Sequence, residues 1–226
     1  MKNLLLLLFL VTTFQTSNAN EQLLARVFEK NIYQSDLKNE GGRDLSLQQV
    51  IIPKLLEGYK AKKNISFEPT NEEMEHFKIW FNKRNPNHKQ ESKEREKESL
   101  ARIRELAKSK QLTDENTQRL VSEFLEYSKN TASMDEQMAN FVLPYRKSQI
   151  YFYNNYGGGR LLWQQRGTEA FDAFHNWLKS QEKKGNFMIL AEEDRKEFYQ
   201  YWNKESGFLS DDKETITQFL KPEWSR

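Results

Sequence analysis

The chain contains no cysteine, so no disulfide staples it, and thiol catalysis and cysteine-ligated metal sites are excluded. Its three histidines, His76, His88 and His175, never stand at the one-turn spacing by which paired metal ligands on a helix declare themselves. No Gly-x-Ser-x-Gly turn offers a strained nucleophilic serine. An excess of charge of one sign is missing too, with 35 Lys and Arg against 33 Asp and Glu. So even a balance gives no basis for binding nucleic acid through clustered cations, or for a polybasic attachment to membranes. Beyond the first residues no apolar run approaches the roughly 20 residues that span a bilayer, so no membrane span is expected after them. Neither a metal nor a cofactor is indicated.

What is present begins with a leader. Lys2 supplies a positive start, Leu4 to Val11 is unbroken apolar sequence, and Ser17-Asn18-Ala19 places small residues where a signal peptidase reads. Residues 1–19 are thus expected to be an export signal cleaved after Ala19, giving a periplasmic or secreted product. No Cys follows the apolar run, so a bacterial lipid anchor is excluded. An exported chain without disulfides must be held together by packing alone.

The remainder is rich in helix signals. Leu23 to Phe28 alternates apolar and polar residues and Ile32-Tyr33 follows a short polar turn, the pattern of a β-hairpin. Ser46 with Gln49, Thr70 with Glu73, Thr113 with Asn116 and Ser133 with Glu136 mark helix starts. Apolar residues at helical spacing follow each of them, with Pro53 and Pro144 as expected kinks. The charged stretch Lys89 to Glu98 is expected to form the solvated first turns of a long helix, or else a linker, with a possible sub-boundary at 85–90. Gly157-Gly158-Gly159 is expected to stop a helix. Thr168 and Glu192 open two more helices, and a short helix near Asp211 to Leu220 precedes a fraying tail. Arg160 to Gln164 reads as a lone strand, which is expected to pair with the amino-terminal hairpin because its backbone groups need partners. The fold class expected is therefore mainly α: residues 20–226 as a single multi-helix domain, with a small sheet made by that hairpin and the 160–164 strand.

Candidates for chemistry are few. Asp172, between Phe171 and Phe174, is the carboxylate nearest to an apolar setting, but its helical position is off the aromatic face. Gly157 to Gly159 with Arg160 has the glycines of a phosphate cradle but reverses its strand-then-helix order. No catalytic residue is assigned. Aromatics are concentrated instead: Tyr145, Tyr151, Phe152, Tyr153, Tyr156 and Trp163 crowd one helix and strand. So many rings cannot all face inward at helical spacing, and Tyr and Trp suit recognition surfaces, offering large area with little entropy to lose. Tyr145, Tyr151, Tyr153, Tyr156 and Trp163 are the candidate polypeptide-binding residues.

The run Ala25-Arg26-Val27-Phe28-Glu29-Lys30-Asn31-Ile32-Tyr33-Gln34-Ser35-Asp36-Leu37, then Leu55-Leu56, Tyr59, Asn64-Ile65 and Thr70-Asn71-Glu72-Glu73-Met74, resembles the opening of the SurA-type periplasmic chaperones. In that family a strand-turn-strand leads into a Leu- and Ile-rich helix, a short turn and a Thr-x-Glu-Glu helix start, and the resemblance implies that Ser35-Asp36 caps the turn. It covers about a quarter of the chain. Glu29-Lys30 replaces the family's Asn-Gly turn, Pro53 interrupts the helix, and Phe67-Glu68-Pro69 lengthens the connection. No parvulin-like segment follows, so prolyl isomerase activity is not implied. The resemblance implies a chaperone-like or adaptor protein whose partner is unfolded or extended polypeptide. A cell-envelope hydrolase with a carboxylate mechanism and a secreted interaction or structural protein are the alternatives.

Overall fold

The computed structural model describes residues 21–130, 132–164 and 167–225. The expected leader lies outside the described residues. The chain forms two compact units, one from residues up to Lys62 with Lys184–Gln200, the other from Lys63–Lys183 with residues from Tyr201 onward. The connection at 85–90, where a sub-boundary was possible, lies inside the second unit. The fold is mainly α, with eight α-helices and two small three-stranded antiparallel sheets among the described residues. None of those helices is long and apolar enough to cross a membrane.

In the first unit β1 (Leu23–Val27) and β2 (Lys30–Tyr33) form the expected hairpin, turning at Phe28-Glu29. Phe28 carries the turn with φ at 50°. Asp36 accepts from the Tyr33 backbone N–H at 2.8 Å and caps the short 3-10 turn that follows. The third strand of this sheet is β5 (Phe187–Ile189), which pairs Ala25 with Ile189 and Val27 with Phe187. The expected pairing with residues 160–164 is therefore corrected. Ala25, Val27, Ile32, Phe187 and Ile189 form a buried face, as period-2 alternation requires. Helix α1 (Leu47–Lys63) buries Val50, Ile51, Leu55 and Tyr59. It opens on the Ser46-Gln49 capping box, with Ser46 N–H donating to Gln49 Oε1 at 2.9 Å and Gln49 N–H to Ser46 Oγ at 3.3 Å. Pro53 is exposed and is accommodated inside this helix. Helix α7 (Glu192–Gln200) adds Phe198, whose ring lies 5.6 Å from that of Phe187.

The second unit holds α2 (Asn71–Arg84), α3 (His88–Ser109), α4 (Asp114–Asn130), α5 (Met134–Asn155), α6 (Phe171–Lys183) and α8 (Lys213–Leu220). Thr70 and Glu73 form their reciprocal capping box at the start of α2. Ser133 is the N-cap of α5, as expected of the helix start there, and its hydroxyl donates to Asp135 at 2.5 Å. Residues 89–98 are helical, the first turns of α3. α5 packs on α2 through Phe77, Phe81, Ala139 and Leu143, and fully burying an aromatic or leucine side chain contributes about 1.5–3 kcal/mol. The three glycines end α5 as expected, all with positive φ.

Strand β3 (Leu161–Gln164) finds its partners inside this unit: β4 (Gly167–Glu169) on one edge and β6 (Leu209–Ser210) on the other. Its backbone groups thus have no need of the amino-terminal hairpin. Thr168 is accordingly a strand residue, paired with Trp163, and the helix expected to open there begins at Phe171. The helix expected to open at Glu192 does so and stops at Gln200, where Tyr201–Asn203 continues as a 3-10 turn. The tail does not fray: Pro222 is buried, and Glu223–Ser225 forms a 3-10 turn that lays Trp224 5.4 Å from both Phe77 and Trp80.

Candidate functional site

The tail turn completes a groove. Trp80 and Arg84 stand one turn apart on α2, so both side chains share a face, and the Arg84 guanidinium lies 5.3 Å from the Trp80 ring. Glu223 joins them, accepting from Trp80 Nε1 at 3.0 Å and from Arg84 Nη2 at 2.5 Å. Across from these, α8 contributes Thr215, Gln218 and Phe219, and the sheet contributes Trp163 and Thr168. Lys221, Pro222 and Trp224 close the lining around a volume of about 380 Å³. A second cavity of about 330 Å³, lined in part by Glu72, Glu73, His76 and Lys147, shares Arg146, Pro222 and Trp224 with the first. These three residues line both.

Arg146 is the charged residue common to the two cavities. Residues 218 and 219 lie in the last turn of α8, where backbone carbonyls lack intrahelical donors. Arg146 Nη2 donates to both, at 2.9 Å to Gln218 O and 2.5 Å to Phe219 O. Its guanidinium also lies 4.7 Å from the Trp224 ring centroid and 5.5 Å from that of Phe219. No carboxylate among the described residues pairs with it, and its Nε is buried without a partner. Burial pushes the guanidinium down to about 10, because the charged form is deprived of water.

A buried carboxylate lies on the neighbouring strand position. Glu169 accepts from Tyr201 Oη at 2.7 Å, from Trp202 Nε1 at 3.3 Å and from Gln164 Nε2. Burial pushes its carboxyl above the usual glutamate value, and the three donors offset this only in part. The Tyr201 hydroxyl is raised as well, by burial and by the Glu169 charge. Alternation along β4 turns Glu169 away from the side of Thr168, and Glu169 does not line the groove. Asp172 is held differently: burial pushes it up, but Arg160, at 3.0 Å through Nη2, outweighs burial and keeps the carboxyl below the usual range. Arg160 also reaches Glu205 at 3.1 Å, so the residue after the three glycines serves an ion-pair network. A Cβ on Gly159 would meet the Asp172 Cβ at 2.7 Å, which accounts for glycine there.

Of the candidate binding residues, Trp163 lines the groove and is 53% exposed. The tyrosines are half-buried in packing. Tyr145 faces Gly167, where a Cβ would lie 3.4 Å from its ring. Tyr151 packs on Phe67 and Phe152 at 5.5 and 5.7 Å, Tyr153 on Phe219 at 5.6 Å, and Tyr156 on Phe152 at 6.1 Å. The structure thus brings Trp163 together with residues the sequence reading did not single out: Arg84, Arg146, Phe219 and Trp224. Trp80 and Arg84 at helical spacing were a local signal for part of this set. Trp224 and Arg146 had none, since their role depends on where the tail folds back. No family model, curated protein or solved structure matches the chain.

Proposed function

We propose that the protein binds extended polypeptide carrying aromatic side chains, as an exported chaperone-like or adaptor protein, and that the groove of the second unit is where it does so. The observation that carries this reading is the convergence of Trp80, Trp163 and Trp224 with Arg84 and Arg146 around one open space. Trp and Arg dominate the energetics of polypeptide recognition because they combine large apolar area with directed polar contact. The SurA-like run from Ala25 to Met74 supports the same class of partner. A carboxylate-based hydrolase would call on Glu169, but its oxygens are engaged by Gln164, Tyr201 and Trp202, so the binding reading is preferred.

Fluorescence anisotropy with labelled, unstructured peptides rich in Phe and Tyr tests the proposal. Trp163 is exposed, so Trp163→Ala should weaken binding about tenfold, the loss of roughly 1.4 kcal/mol, while the fold persists. Met188→Ala, an exposed apolar residue of the first unit, should leave affinity unchanged. Failure of the wild-type protein either to bind such peptides or to slow aggregation of unfolded outer-membrane proteins would remove the proposal.

A further inference from the structure

Arg146 poses a problem that its neighbours do not solve. A guanidinium taken out of water needs a compensating charge or a full set of hydrogen bonds. The carbonyls at the end of α8 supply the negative end of a helix dipole, equivalent to about half a charge. Trp224 and Phe219 add ring faces, which attract a cation but do not neutralise it. Two hydrogen bonds engage Nη2, whereas Nη1 has no partner among the described residues and Nε is buried without one. The acid that lines the groove, Glu223, is held by Arg84 and Trp80. Lys221 lines the same space and brings a further cation. The groove is thus short of negative charge at one end and aromatic along its sides.

We infer that the groove receives the end of a polypeptide rather than a through-running segment, with the carboxy-terminal carboxylate seated against Arg146. This rests on the polypeptide-binding reading above and names the part of the ligand that the site selects. A space of about 380 Å³ lies near the lower end of the range for compact ligand pockets, ~300–1,000 Å³, and suits a few terminal side chains. Arg146, Pro222 and Trp224 also line the second cavity, so a chain entering past Trp163 meets a cation where the two spaces adjoin. A carboxylate there accepts charge-assisted hydrogen bonds from the guanidinium, stronger than those a neutral amide makes.

The test compares two labelled peptides of one sequence, one ending in the free acid and the other in the carboxamide, binding to the full-length protein. The acid should bind about tenfold more tightly, as loss of one charge-assisted hydrogen bond implies. Arg146→Met should bring the two peptides to within about twofold of each other. Trp163→Ala should weaken both and leave their ratio intact. The ratio is read first on the wild-type protein, so the inference stays testable if Arg146→Met fails to fold. Equal binding of acid and amide would overturn it while leaving the groove as a polypeptide site. An amidated peptide with an internal Asp that binds as tightly as the free acid would also overturn it, assigning Arg146 to side-chain carboxylates. Absence of binding by either form would remove the underlying reading and this inference with it.

Discussion

Two positions show how the surroundings set the sign of an effect at the scale of single residues. Glu169 holds its proton more tightly in the folded protein than in the unfolded chain, where the ordinary glutamate value is 4.5. That preference contributes stability in full below pH 4.5, and the contribution disappears as pH rises through the higher folded value. Glu169→Gln has no such titration. The stability of wild type relative to this variant, from urea denaturation between pH 4 and 8, should therefore fall as pH rises, and a pH-independent difference would refute the account. Gly58 presents the second case. A Cβ there would lie 2.1 Å from the Phe28 ring, although alanine is otherwise favoured over glycine inside a helix by about 1 kcal/mol. Overpacking costs about 1–3 kcal/mol and should win. Gly58→Ala is expected to destabilise the wild type but to stabilise a Phe28→Ala background. A double-mutant cycle by chemical denaturation decides, and the same sign in both backgrounds would refute the steric account.

Among the elements, helix ends do more than terminate helices. Glu73 completes the α2 capping box and also takes Lys147 of α5 at 2.7 Å, tying the start of one helix to the side of another. Burial pushes the Glu73 carboxyl up, but Lys147 and Thr70 outweigh it and keep it below the usual range. Thr70→Ala removes one acceptor of the box and should cost about 1 kcal/mol in urea unfolding. The tail turn matters more. Trp224 packs on Phe77 and Trp80 and flanks Arg146, so removing the residues after Lys221 strips one aromatic side chain from a core cluster. Full truncation of a buried aromatic costs about 3–5 kcal/mol, and a half-buried one about half of that. Thermal denaturation of a chain ending at Lys221 should show a loss of this order. Unchanged melting would mean that the tail is an appendage after all.

At the scale of the molecule, both units are assembled from distant stretches of chain. The amino-terminal hairpin is completed by β5, more than a hundred residues later, and a two-stranded hairpin alone is marginal in water. Phe187→Ala, at the buried centre of that closure, should cost about 3–5 kcal/mol. Hydrogen exchange should report it at the backbone amides of Ala25 and Val27. Protection that persists there would show that the hairpin stands without β5. The groove is likewise assembled from α2, α5, β3, β4, α8 and the tail, so its integrity depends on the second unit as a whole.

Periodicity and capping chemistry belong to neighbours in sequence, and they were legible in the chain by itself. The helical class, the hairpin, the boxes at Ser46 and Thr70, the glycine stop after α5 and the helical reading of residues 89–98 all rest on interactions within a few residues. Strand partnership does not. Residues 160–164 announce a strand, but the three-residue strand at Phe187 and the two-residue strand at Leu209 are too short to carry a pattern of their own, so the choice of partner was open. The aromatic surplus near Tyr151 was visible for the same local reason. Its division between packing and groove was not, because a ring's exposure depends on what covers it. Trp163 remained uncovered, Tyr153 received Phe219, and Arg146 became a half-buried cation only when α8 and the tail came to rest against it.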